Sequence, residues 1–239
     1  MILDLLKEGL FITNTAVSVI LDLFSAKRPP GELRPDKINI VLVYGFLSTQ
    51  TTMLPLQKGL RRNEYNILLP DLSLTVYDID WHARELVCFF EEQKKILKKK
   101  YNLALSDIRD KILFFGHSMG GLIILAAQRI DRELLDIPIV TAGTPLKGAE
   151  VAVLASLVFF WSTAIYQMYP NSAWLKNLSL DLEKYPRKMF SISALIDELV
   201  PLNSSHLNNQ HPWMTTKIIG HIALIYELVL TDILKRKPV

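Results

Sequence analysis

Residues 111–124, KILFFGHSMGGLII, run an apolar strand-like stretch into Gly-His-Ser-Met-Gly-Gly and resume as an apolar helix. Glycine weakens both strands and helices, so glycines on either side of one serine need a local reason. Gly116-His117-Ser118-Met119-Gly120 has the spacing G-x-S-x-G, in which a strained turn between strand and helix lifts the serine hydroxyl above a sheet. Side chains at the glycine positions would collide with the neighbouring strand or helix. The first turn of a helix also offers free N–H groups and a dipole that favour a developing oxyanion. Ser118 is therefore a candidate nucleophile.

A hydroxyl is a poor nucleophile without a base, and the base needs a carboxylate to orient it. The chain has five histidines. His117 lies inside the turn and is expected to point away from the serine. His82 opens a helix far upstream, and His206 and His211 fall in a polar loop. His221, in IIGHIALIYE, directly follows the last apolar run and so lands at a strand's carboxyl end. In FSISALIDELVP, Asp197 follows the preceding run onto the same rim, with its neighbour Glu198 as the alternative. No histidine pair has the helical spacing of metal ligands, and no lysine follows the glycines as it would in a phosphate-binding loop.

The elements that must position these residues alternate. Apolar runs at 38–45, 65–73, 111–116, 137–143, 187–194 and 213–219 read as strands. Helical patterns at 52–62, 82–101, 120–130 and 222–234 fit between and after them. Continuous Val/Ile/Leu runs separated by helices predict an α/β chain with a mostly parallel central sheet covered on both faces. In such sheets function collects at the carboxyl ends of the strands.

The chain has 239 residues, enough for one large domain, and half of them are apolar. A net charge of +3 gives no nucleic-acid footprint. The lysines at 94, 95 and 98–100 suit the end of a helix. A single cysteine, Cys88, rules out an internal disulfide framework and is read as a small apolar residue on a helix face. Residues 1–27 form an amphipathic helix, stopped by Pro29, Pro30 and Gly31. Asp4 and Glu8 sit where a signal peptide would be basic, and both belong to the helix's polar series. Such a helix covers its own core, pairs with a copy of itself or lies on a membrane surface. The expected organisation is residues 1–36 as helix and linker, then a domain over 37–239.

From residue 39 to residue 234 the chain resembles the α/β-hydrolases of the lipase and esterase type, similar to triacylglycerol lipases and GPI-inositol deacylases. The resemblance rests on Val43-Tyr44-Gly45-Phe46, Pro70-Asp71-Leu72, Gly116 through Gly121, Thr144-Pro145, Asp197 with Pro201, and Gly220-His221. It implies a Ser118–Asp197–His221 triad, an oxyanion hole from the N–H groups of Phe46 and Met119, and no cofactor. Such enzymes usually carry a histidine before the glycine of the first motif, where this chain has Tyr44. The uncharged stretch 151–175 occupies the position of a lipase lid, expected over about 149–178, and is heavy in aromatics. A membrane span there would separate Ser118 from Asp197 and His221. An apolar cover implies a lipid or other apolar acyl ester as substrate. The same triad also serves thioesterases and acyltransferases, and a non-catalytic hydrolase-fold scaffold is the reading of another class. The expected location is cytoplasmic with peripheral membrane contact, which the basic residues 235–237 would strengthen.

Overall fold

The computed structural model of the chain describes residues 2–23, 28–60, 65–207 and 211–227. Its centre is a sheet of β1 (Ile38–Val43), β2 (Tyr65–Leu68), β3 (Ile112–His117), β4 (Ile139–Ala142), β5 (Met189–Ser193) and β6 (Trp213–Thr215). The strand order is β2-β1-β3-β4-β5-β6, and every pairing is parallel. β3 and β4 are buried along their whole length, and β1 is buried after Ile38. That two-sided burial is why these segments read as near-continuous apolar runs. All six expected strands are present with trimmed ends. β2 stops at Leu68, two residues before Pro70, and β6 stops at Thr215, followed only by an isolated parallel bridge from Ile196 to Ile219.

The helices are α1 (Ile2–Leu23), α2 (Leu54–Leu60), α3 (Ile79–Tyr101), α4 (Met119–Ile130), α5 (Glu150–Ala155), α6 (Thr163–Gln167), α7 (Ala173–Lys184) and α8 (Ala223–Glu227). A 3-10 turn at Gln50–Met53 takes the place expected for the start of α2. α3 begins a turn earlier than its apolar periodicity suggests, because the Asp78 side chain accepts the N–H groups of Asp80 (2.7 Å) and Trp81 (3.1 Å). Residues 61–64, the part of the helix expected over 222–234 that lies beyond Glu227, and the basic residues 235–237 lie outside the described residues.

From β1 the chain steps outward to β2, returns across β1 to β3, and then moves steadily through β4 and β5 to β6. Right-handed crossovers put α2 on one face of the sheet, and α3, α4 and α7 on the other. The packing agrees: α3 lies along α4, α7 also packs on α4, and α8 meets both α2 and α1. The order reverses between β1 and β3. In open parallel sheets, a crevice for ligands forms outside the strand ends at this reversal.

The linker is knitted into the domain. Leu33 is fully buried and its N–H donates to Gln93 Oε1 (2.8 Å), while Leu69 N–H donates to Pro30 O (2.9 Å). α1 also packs on the body, where Phe11 stacks on Tyr226 of α8 at 4.3 Å. Glu8 is buried, contrary to its assignment to a solvated polar face. The uncharged stretch 151–175 breaks into α5, α6 and the start of α7. No helix among the described residues is long and apolar enough to cross a membrane. His206 and His211, expected in a polar loop, are both buried. His206 stacks on Trp213 at 4.0 Å, and His211 Nε2 bonds Ser191 Oγ at 2.7 Å. Cys88 does lie on a helix, α3, but is exposed.

Candidate active site

Ser118 joins β3 to α4 with φ 54° and ψ −130°, a conformation that costs an L residue about 1–3 kcal/mol. Its surroundings hold it there. Its N–H donates to Ala142 O of β4 at 2.8 Å. A Cβ on Gly116 would stand 2.5 Å from the Gly121 backbone, and one on Gly120 would run into Val43 of β1. The glycines thus let α4 start directly against two strands. Met119 is the first residue of α4, so its N–H has no acceptor within the helix.

The loop after β1 passes against the serine. A Cβ on Gly45 would lie 2.8 Å from Ser118 Cβ and 3.3 Å from Oγ, which brings the backbone leading to Phe46 beside the Ser118 hydroxyl. Thr75 holds this loop and is fully buried. Its hydroxyl donates to Gly45 O and accepts from Ser48 N–H (3.1 Å), and its carbonyl accepts from Leu47 N–H (3.0 Å). Tyr44, standing where the resembling enzymes carry histidine, is buried and donates its hydroxyl to Leu72 O. Nothing in the sequence marks Thr75, because its bonds go to backbone atoms. Thr75→Val keeps the shape but leaves a buried carbonyl and N–H unpaired. Steady-state kinetics on an accepted ester should show kcat lowered by about tenfold or more with KM little changed.

His221 and Asp197 meet after β6 and β5. His221 Nδ1 lies 2.8 Å and 3.0 Å from the two Asp197 oxygens, and both side chains are buried. Asp197 in turn accepts the N–H groups of Leu199 (2.9 Å) and Val200 (2.7 Å). A carboxylate can only accept, so Nδ1 carries the proton and Nε2 is left as the basic nitrogen. Nε2 is buried and has no hydrogen-bond partner among the described residues. Burial works against the charged form of each partner, but their mutual attraction prevails. The imidazolium and the adjoining N–H groups hold the Asp197 carboxyl below its ordinary value, and Asp197 raises the His221 imidazole above its own. The His221 ring packs against Gly143, directly after the residue whose carbonyl binds Ser118 N–H. His221 and Ser118 therefore share one rim.

Glu198, the alternative acid, does not touch the ring. It accepts the His221 backbone N–H at 3.1 Å and 3.3 Å. His117 turns toward the base loop, and its Nε2–H donates to His221 O at 3.1 Å. Burial and the neighbouring His221 charge push the His117 imidazole down to about 3, so it stays a neutral donor. His82 stands apart, bonded to Glu85 at 2.8 Å. Above the rim, Phe159 packs edge-on against Phe46 with ring centroids 5.6 Å apart. Leu154, Leu157, Val158, Phe160 and Trp161 around it are exposed.

No protein-family profile matches the chain, and no curated protein sequence does. Solved structures match over nearly its whole length. Lipase BlEst2 of Bacillus licheniformis, in mature form, is similar at TM-score 0.67 and 15% identity, covering 87% of this chain and 95% of that one. The fold is that of the α/β-hydrolases. A structure of the metagenome-derived lipolytic enzymes LipS and LipT is similar at TM-score 0.55 and 17% identity, covering 88% and 98%. The metagenomic α/β-hydrolase MGS-MChE2, from lagoon sediment at Mar Chica, Morocco, is similar at TM-score 0.52 and 20% identity, covering 85% and 93%. Within this α/β-hydrolase fold, α1 and its linker are secured to the domain by contacts that include those of Glu8 and Leu33.

Proposed function

We propose that the chain is a serine hydrolase of carboxylic esters with long apolar acyl groups, working through an acyl-enzyme at a membrane surface. The observation that carries this reading is the His221 ring, anchored by Asp197 through Nδ1 and basic at Nε2, on the rim that holds a strained Ser118. His221 Nε2 takes the Ser118 proton as Oγ attacks the ester carbonyl carbon. The carbonyl electrons move onto oxygen, where the Phe46 and Met119 N–H groups receive the charge. Collapse of the tetrahedral intermediate breaks the bond to the alcohol oxygen, which leaves with the proton from Nε2. Water then attacks the acyl-Ser118 ester, giving up a proton to Nε2, and the acid departs as Oγ recovers that proton. Asp197 remains ionised throughout and stabilises the transient imidazolium.

The lipases and lipolytic enzymes among the similar structures support an ester substrate, and the apolar surface supports a lipid one. Leu6, Leu10, Val17 and Ile20 form one exposed stripe on α1. Residues 154–161 add a second apolar surface beside the oxyanion loop. Each large side chain buried in a lipid interface contributes about 1.5–3 kcal/mol, so a few suffice for reversible binding. A chain-length series of p-nitrophenyl esters and phospholipids tests the substrate class, and analysis of the product separates hydrolysis from acyl transfer. Vesicle co-sedimentation tests the location. Wild type should bind anionic vesicles, and Leu10→Glu with Val17→Glu, or Leu157→Glu with Phe160→Glu, should release it. If wild type stays in the supernatant and its turnover is unchanged above the substrate's aggregation point, the membrane part of the reading fails.

A further inference from the structure

We propose that Glu8, on α1, is a positioning residue for the catalytic base: its carboxyl group fixes the turn that carries His221. The proposal rests on the hydrolase reading above. Three successive amides of that turn are held by carboxyl groups. His221 N–H donates to Glu198, Ile222 N–H donates to Glu8 Oε1 at 2.7 Å, and Ala223 N–H donates to Glu8 Oε2 at 2.9 Å. With His117 bonded to His221 O, the backbone of the base is tied at both its N–H and its C=O. Gly220 makes the approach possible. It has φ +113°, and a Cβ there would overlap the Glu8 carboxyl.

Glu8 reaches this place from a helix 214 residues distant in sequence from Ile222, and it is only 4% exposed. Burying a carboxyl group costs free energy that an apolar residue at the same helix position would avoid. The hydrogen bonds to the His221 turn are what this residue type supplies. The Glu8 carboxyl also lies beside that of Glu198, whose neighbourhood favours the neutral form of Glu8. Burial, then the bond and charge of Glu198, push the Glu8 carboxyl up to about 7, against the pull of the Ile222 and Ala223 N–H groups. The charged and titratable groups near this pair are His221 with Asp197 beyond it and neutral His117, while Lys7 of α1 pairs with Glu227 of α8 at 3.6 Å. When Glu8 ionises, its charge raises the basicity of His221. α1 thus fixes the turn of the base and adds, after Asp197 and Glu198, to its basicity.

The test uses full-length protein with Glu8→Ala and Glu8→Gln. Glu8→Ala should lower kcat by about tenfold or more with KM within about twofold, since only the alignment of the base is lost. Glu8→Gln keeps one acceptor oxygen for this pair of N–H groups, and its NH₂ can donate to Glu198, so it should restore part of the lost kcat. Because it cannot ionise, the His221 imidazole pKa, read by NMR and from the acid limb of kcat/KM, should fall. Unchanged kcat and an unchanged His221 pKa in both variants would overturn the proposal. So would equal impairment of both variants with the wild-type pKa, which marks a purely structural residue. If Glu8→Ala does not fold, the pKa in Glu8→Gln decides alone. If Ser118→Ala retains wild-type turnover, the hydrolase reading falls and this proposal with it. Serine-dependent turnover that is indifferent to Glu8 removes only this proposal.

Discussion

Replacing Ser118 by alanine should remove all but a background of ester turnover and should prevent labelling by a fluorophosphonate probe. In this mechanism Ser118 Oγ is the atom that bonds to the acyl carbon, and no neighbouring group offers a substitute. His117 is neutral but engaged with His221 O, and Thr75 is committed to the oxyanion loop. The oxyanion N–H groups and the base survive the substitution, so a small background over water remains. The expected fall in kcat is on the order of 10⁶. Stability should change little, because alanine meets the same strained φ of 54° and the bonds holding the turn are made by backbone atoms. Circular dichroism and thermal unfolding check that the loss is chemical. An alanine variant that still turns over, or a wild type that the probe never labels, would remove the nucleophile assignment.

The parts of this molecule legible in the sequence are those whose physics is local or periodic. β1, β3 and β4 announce themselves because a sheet covered on both faces demands unbroken apolar runs. The elbow is visible because Gly116, Gly120 and Gly121 sit where α4 meets β3 and β1 with no room for a Cβ. Asp197 and His221 could be singled out because each follows an expected strand onto the same rim, and the structure brings those two together. Glu8 could not. Helical periodicity assigns an isolated carboxylate to the solvated face, and its partners are backbone amides at the far end of the chain. Thr75 is hidden for the same reason, since bonds to Gly45 O and Ser48 N–H leave no pattern of side chains. Burial of His206 and His211 was likewise illegible. Each is covered by a long-range partner, Trp213 or Ser191, inside a stretch whose composition reads as polar.

Asp197→Asn should cost on the order of 10⁴ in kcat, while Glu198→Gln stays within about tenfold of wild type. Asp197 accepts the Nδ1 proton and thereby fixes the tautomer that leaves Nε2 basic. An asparagine can present its NH₂ to Nδ1 instead, which stabilises the tautomer with the proton on Nε2 and removes the base. It also removes the negative charge that holds the His221 imidazole above its ordinary value. The sign follows directly. His221 must be neutral to accept the serine proton, so wild-type kcat/KM falls as pH drops through a midpoint above the ordinary imidazole value. In Asp197→Asn that midpoint moves to lower pH, along with the fall in rate. Glu198 bonds the His221 backbone rather than its ring, and glutamine keeps an oxygen to accept that N–H. Its loss therefore disturbs alignment without changing the tautomer. Steady-state pH profiles of the two variants separate the roles, and a larger loss in Glu198→Gln than in Asp197→Asn would transfer the orienting role one residue along the chain.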